Sequence, residues 1–238
     1  MESRHWPLFG LRIRTPRLTL RWPTLEDLDA LADLAYDGIH DPAEMPFSVP
    51  WTDVSPEERA RATLQYHWSL WSSWMPARWT LELAVIQDGV PVGLQGIGAT
   101  EFAVAREVHS GSWLGRQYQG RGVGTEMRAA VLHLAFAGLG AEFATTSAYL
   151  DNHASLGVSR KLGYQPDGIE RHSRRSKAVT LQRLRLDRAR WEATRSTPVD
   201  IAGLTGCFGF FGLSEPGGQP ADPQPGGSDP PVHLVPAP

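Results

Sequence analysis

The chain has 238 residues, 41% of them hydrophobic and 21% charged. That balance excludes a disordered acidic chain, a collagen-like chain and a membrane-embedded body, and it suits one large domain or one domain with appendages. A net charge of −3 without a basic stripe argues against a nucleic-acid partner. The single cysteine, Cys207, excludes an intrachain disulfide framework and leaves a Cys-based zinc site without partners, so no metal is expected.

No run approaches the roughly 20 apolar residues that cross a bilayer. The first 14 residues scatter Glu2, Arg4, His5, Pro7, Arg12 and Arg14 among apolar ones and offer no secretory core. A cytoplasmic protein without a membrane partner is expected.

In chain order, Leu18, Leu20 and Trp22 alternate with polar residues, the period of a half-buried strand. Thr24 is a good N-cap for the helix that follows, with Glu26 and Asp27 in its first turn and Leu28, Leu31 and Ala35 on one face. A proline-bracketed loop, His40 to Trp51, leads to a second helix that Ser55 caps and Pro56 opens. Its stripe of Leu64, Trp68, Trp71 and Met75 is expected to face the core. Leu81, Leu83 and Val85 mark a strand, Asp88-Gly89 a hairpin turn, and Val92 the start of the returning strand.

A further strand over Val108 to Leu114 runs into a glycine-rich turn, and a helix follows with Met127, Val131 and Leu134 on one face. Phe143 to Leu150 reads as a strand, Ala154 to Leu162 as a short helix, and Ile169 and Val179 to Leu186 as closing strands. The basic residues Arg171, Arg174, Arg175, Lys177, Arg183, Arg185, Arg188 and Arg190 read as a solvated face. The alternation of elements predicts an α/β sandwich around a mixed sheet.

Composition breaks near residue 196. Residues 1–195 form the expected domain. Residues 196–215 carry Leu204, Cys207, Phe208, Phe210, Phe211 and Leu213 among glycines and read as a strap packed on the domain or on a partner subunit. Residues 216–238 are Pro/Gly-rich and cannot bury enough apolar surface to offset their ordering entropy, so a disordered tail is expected.

The segment with chemistry is Gln119-Gly120-Arg121-Gly122-Val123-Gly124-Thr125, between a strand and a helix. Converging backbone amides and the positive end of the helix dipole suit a phosphorylated ligand. A Walker loop needs Lys-Ser/Thr after its last glycine, and the chain has Thr125-Glu126. The dinucleotide fingerprint fails where Thr125 replaces its third glycine.

Gln119-x-x-Gly122-x-Gly124 resembles the pyrophosphate loop of the GNAT superfamily of acyl-CoA-dependent N-acyltransferases. Trp113-Leu114 before the loop, Thr125-Glu126 after it, and Asp151-Asn152-x-x-Ser155 leading to Lys161-Leu162-Gly163-Tyr164 are similar to the branch that holds the ribosomal-protein N-terminal acetyltransferases. The stretches Ser3 to Phe9, His40-Asp41-Pro42, Met45 to Trp51 and Ser110 to Gly115 most closely resemble a mycobacterial GNAT succinyltransferase.

The resemblance spans roughly Ser3 to Trp191. It implies a GNAT-type mixed, mostly antiparallel sheet flanked by helices, in which the strands Val108 to Leu114 and Phe143 to Leu150 splay to admit the pantetheine arm. It implies transfer of an acyl group, succinyl preferred and acetyl as the competing donor, from acyl-CoA to an amine on a small molecule or protein. A homodimer is the default assembly.

The resemblance also assigns roles. Gly120, Arg121, Gly122, Val123, Gly124 and Thr125 would cradle the pyrophosphate, with Gln119 opening the motif and Arg116 and Arg121 as charge partners. Trp113, Leu114, Asn152 and Ser155 would line the acyl-CoA cleft. Ser159 stands where most members carry the tyrosine that protonates the leaving thiolate. His109 stands where this branch has a glutamate base, with Glu107 and Glu101 as alternatives, and the ordinary histidine pKa of about 6.5 suits a base at neutral pH. Met45 to Trp51 and the tryptophan-rich helix after it would wall the acceptor site. Two other readings compete: a catalytically silent acyl-CoA sensor or protein-binding module of the same fold, and a nucleotide-binding protein.

Overall fold

Residues 3–215 are described by a computed structural model. Nine strands form one sheet: β1 (Arg12–Arg14), β2 (Leu18–Arg21), β3 (Arg78–Gln87), β4 (Val90–Thr100), β5 (Glu107–Leu114), β6 (Phe143–Tyr149), β7 (Gln165–Arg174), β8 (Lys177–Asp187) and β9 (Asp200–Ala202). Their order across the sheet is β7-β8-β6-β5-β4-β3-β2-β1-β9. Every pairing is antiparallel except β5 with β6, which is parallel. The helices are α1 (Leu25–Asp37), α2 (Pro56–Ser72), α3 (Phe102–Ala105), α4 (Val123–His133), α5 (His153–Lys161) and α6 (Arg188–Thr194). This is the mixed α/β sheet expected from the sequence, and among the described helices none is long and apolar enough to cross a membrane.

Local sequence sets most of these boundaries. Thr24 and Ser55 each cap a helix through a reciprocal capping box, with Asp27 and Glu58 as the third helical residues. Asp88 and Gly89, both at positive φ (51° and 82°), close the β3–β4 hairpin with the twist that two-residue loops require.

The sheet is covered on both faces. Leu81, Leu83 and Val85 of β3, Ile97 of β4 and Val108 of β5 bury against Met127, Val131 and Leu134 in the main core. On the opposite face Ala84, Ile86 and Leu94 pack beneath Leu28 and Leu31 of α1.

The α2 stripe meets expectation in part: Leu64 and Trp71 pack against the core, and the other two members do not. Trp68 and Met75 are 48% and 53% exposed, and the helix's buried residues are the polar Thr63 and His67.

Residues 196–215 join the same body. β9 pairs with β1, placing Ile201 opposite Ile13, and Trp74 Nε1 donates to the Phe210 carbonyl at 2.9 Å. Phe211 packs edge-on against Trp79 at 4.9 Å and Trp74 at 5.9 Å, with Trp6, Phe9 and Trp22 continuing the aromatic cluster. Phe211→Ala should cost about 3–5 kcal/mol of stability, the usual penalty for emptying a buried aromatic site. Denaturant unfolding checks this, and a change below about 1 kcal/mol would show that the segment adds nothing to the core. The tail expected at residues 216–238 lies outside the described residues.

The arginine-rich run is not simply a solvated face. Arg174 pairs with Asp151, and Arg175 pairs with Asp53 at 2.5 Å. Arg185 pairs with Glu107 at 2.9 Å, and Arg188 donates to the Phe136 and Ala141 carbonyls. These side chains bracket loops against the sheet because a guanidinium fork satisfies two acceptors at once.

Candidate active site

The glycine-rich loop ends β5 and enters α4. Gly122, at φ +81°, is the N-cap of α4, and its carbonyl accepts from Thr125 and Glu126. The amides of Arg121, Gly122, Val123 and Gly124 donate to no acceptor among the described residues. They form an anion cradle of the kind a helix N-terminus provides.

The Gln119 side-chain amide donates to the Ile39 and Leu114 carbonyls at 2.8 and 2.9 Å and braces the loop. Arg116 and Arg121 are exposed beside the loop. Arg17, missed in the sequence, joins them. It pairs with Glu126, donates to the Arg121 carbonyl, and brings Nη2 within 3.4 Å of where a Gly122 side chain would start.

Next to the cradle the sheet opens. β5 and β6 pair only over Glu107–His109 and Phe143–Thr145, and Thr146 Oγ1 donates to the Ser110 carbonyl at 3.0 Å. Beyond that point Gly111 to Leu114 have no ladder partner on β6. The divergence is the splay the sequence implied, and it exposes backbone groups of β5 that a linear ligand can satisfy.

On the sheet face beneath α2, glycines replace side chains. Gly96 and Gly98 of β4 stand beside Glu82 and Thr80 of β3 and beside Gly111 and His109 of β5. A Cβ at Gly98 would meet His109 Cε1 at 2.6 Å, and one at Gly96 would meet the Glu82 carboxyl carbon at 2.6 Å. Both titratable groups therefore recline over a glycine floor, on two β4 glycines about 7 Å apart by the strand repeat. The Tyr66 hydroxyl of α2 donates to Glu82 at 3.5 Å, a weak hydrogen bond at most.

Burial raises the Glu82 pKa to about 8, the largest influence, while Tyr66 pulls slightly the other way. Burial also lowers the pKa of His109 below its ordinary value. At neutral pH the slot thus holds a neutral imidazole and a largely protonated carboxyl.

Of the alternatives, Glu107 shares the His109 face but is committed to Arg185. Glu101 sits in a left-handed turn (φ 50°) after the far end of β4, where it opens α3 and takes no part in the slot. Glu82 was missed because it alternates with Leu81 and Leu83 and reads as a solvent-facing strand residue. The glycines at 96 and 98 on the next strand were the available signal, since glycine inside a strand marks close approach.

Ser159 of α5 is fully buried. Its Oγ accepts from Arg128 Nη1 at 3.0 Å and donates to the Ser155 carbonyl at 3.0 Å. Asn152 caps α5 by accepting from the Ser155 amide at 3.1 Å. Trp113 packs on the α1 face with its ring 6.1 Å from that of Trp51, while Leu114 turns to the main core.

The loop from His40 to Asp53 is held over this end of the sheet. His40 Nε2 bonds Thr52 Oγ1 at 2.7 Å, Arg174 donates to the Met45 carbonyl, and Arg175 donates to that of Ala43. Between this loop and the β7–β8 hairpin lies a cavity of about 530 Å³, lined among others by Met45, Asn152, His153, Arg174 and Lys177.

The fold matches solved acetyltransferases. Mycobacterium smegmatis RimJ in complex with CoA-disulfide aligns at a TM-score of 0.67 and 17% identity, over 80% of this chain and 92% of that one. The ribosomal L7/L12 alpha-N-protein acetyltransferase RimL in complex with coenzyme A aligns at 0.59 and 17%, over 73% and 95%. The Microcin C7 self immunity acetyltransferase MccE, solved with acetyl-CoA and AMP, aligns at 0.58 and 15%, over 72% and 93%. Residues 17–165 match the Acetyltransferase (GNAT) domain family. That span, well over half of the chain, contains the amide cradle, the splayed strands and the glycine-floored slot, and the chain belongs to the GNAT family as an acyl-CoA-dependent N-acyltransferase.

Proposed function

We propose that the protein transfers a succinyl group from succinyl-CoA to an amine, with the CoA pyrophosphate on the Arg121–Gly124 amides and the pantetheine arm along the splayed edge of β5. The observation that carries the reading is the run of unpartnered amides opening directly onto strands that stop pairing. The acceptor amine enters the slot over Gly96, Gly98 and Gly111, where it gives up its proton. Glu82 is the first acceptor of that proton and His109 the second. Both face the slot, and both have surroundings that keep the proton-accepting form within reach near neutral pH.

The succinyl preference rests on the sequence of the Met45–Trp51 loop and on the need to pair a buried carboxylate. Arg4 and His5 do not serve this end. They precede Trp6, which packs with Trp22 and Trp74 near the start of β3, whereas Trp51 sits against Trp113 at the other end of β5. His40 is taken up by Thr52 and the Asp41 carbonyl. The cations that do flank the loop come from the β7–β8 hairpin, and Lys177 among them pairs with no carboxylate among the described residues.

Kinetics with one acceptor and two donors test the preference. The kcat/KM for succinyl-CoA should exceed that for acetyl-CoA by about tenfold, the worth of one modest charge pairing. Equal or higher efficiency with acetyl-CoA would overturn it.

A further inference from the structure

Arg128, on the second turn of α4, is a buried charge without a counter-ion. It is 4% exposed and pairs with no carboxylate among the described residues. Its contacts are two hydroxyls, Ser159 Oγ at 3.0 Å from Nη1 and Ser112 Oγ at 3.3 Å from Nη2, and its Nε has no partner. The Ser110 and Tyr164 hydroxyls face the same interior and each other.

Leaving a guanidinium buried and uncompensated costs several kcal/mol, and it cannot shed its proton to escape that cost. A cluster of this kind is suited to an anion that arrives or is created beside it. The pyrophosphate is not that anion, because the α4 N-terminal amides serve it and Arg128 lies about 6 Å further along the axis than Gly124. Ser112 belongs to the stretch of β5 that has left its β6 partner, so the cluster lies under the splay itself.

We propose that Arg128, acting through the hydroxyls of Ser159 and Ser112, stabilises the CoA sulfur as a thiolate when it leaves. The inference rests on the acyl-CoA reading of the splay. In the transfer, the C–N bond forms, the C–S bond breaks with its electron pair on sulfur, and the amine proton goes to the slot base. The thiolate then takes a proton from solvent. Once the pantetheine arm enters the splay and uncovers Ser159, its O–H turns from the Ser155 carbonyl toward the sulfur, while the bond from Arg128 keeps the hydroxyl oriented and polarised. Arg128 is thus a positioning residue, and Ser159 is the group that touches the sulfur.

Calorimetry of CoA and desulfo-CoA binding, each in two buffers of different ionisation enthalpy at slightly alkaline pH, counts the protons released. The wild type should release a fraction of a proton with CoA beyond that released with desulfo-CoA. Arg128→Met should abolish the difference and lower kcat by about 10²–10³, the usual cost of one transition-state charge donor. Ser159→Ala should reduce both effects with desulfo-CoA affinity unchanged. Arg128→Lys, which keeps the charge and loses the fork, should retain part of the proton release and decides the matter if the methionine variant does not fold. Equal release by the two ligands in the wild type, or full release in the arginine variants, overturns the proposal. Failure of both ligands to bind the wild type overturns instead the reading of the splay as a CoA cleft.

Discussion

Glu82→Gln is expected to lower kcat by about 10²–10⁴, the range for removal of a general base, and at the same time to raise the thermal midpoint. The carboxyl is enclosed between the sheet and α2, and burial lifts its pKa to about 8 from an ordinary value of 4.5. Between those values the folded chain holds a proton that the unfolded chain has lost. Stability therefore falls as pH rises through the window, and the loss is complete above about 8. Glutamine removes the ionisation and with it the penalty, so the variant should gain most over the wild type at alkaline pH.

The pH–rate profile separates the two candidate bases. A Glu82 base gives a rate that climbs to a plateau above about pH 8, whereas His109, held below its ordinary pKa by desolvation, is already neutral there and titrates on a lower limb. Wild-type kcat should carry the upper limb, Glu82→Gln should lose it, and His109→Ala should keep it. A full-rate Glu82→Gln enzyme with an unchanged profile would hand the role to His109.

Where structure could be read from the chain, the signal was local. The caps at Thr24 and Ser55, the Asp88-Gly89 turn and the glycine loop into α4 are chosen by a few adjacent residues, and all form as expected. The strands β1 and β9 have three residues each, too few for an alternation to register, and they exist because they pair with each other across most of the chain. The partly misread α2 stripe has a different cause. Periodicity equates apolar with buried, but α2 turns Thr63 and His67 inward and leaves Trp68 in solvent.

The same inversion hid Glu82 and Arg128. Both sit at positions that read as solvent-facing within an otherwise amphipathic element, and both are enclosed by a second layer that comes from elsewhere in the sequence. His109 and Ser159 could be placed because their positions relative to Gly111 and Tyr164 are short-range. The partners that give them chemistry, Gly98 beneath His109 and Arg128 against Ser159, are not.

Gly122→Val should weaken acyl-CoA binding by about 10³-fold or more while leaving the far-ultraviolet circular dichroism unchanged. Gly122 caps α4 at φ +81°, a left-handed conformation that a β-branched residue adopts only with strain. Valine would shift the turn that aims the Arg121 to Gly124 amides outward, and its Cβ would start 3.4 Å from Arg17 Nη2, displacing a cation at the cradle's mouth. Losing two or three charge-assisted hydrogen bonds at about 1.5–3 kcal/mol each gives the stated factor. The fold should persist because the mutation lies at a helix end and touches no core side chain.

Gly124 provides the control. It has helical backbone, and a Cβ there would make ordinary contacts of 3.7 and 3.8 Å with Val158 and Leu114, so Gly124→Ala should bind acyl-CoA within a few-fold of wild type. Titration calorimetry with acyl-CoA reads all three proteins. Wild-type affinity in Gly122→Val would remove the amide cradle from the site, whereas a loss shared equally by Gly124→Ala would trace the effect to crowding rather than to the turn that presents the amides.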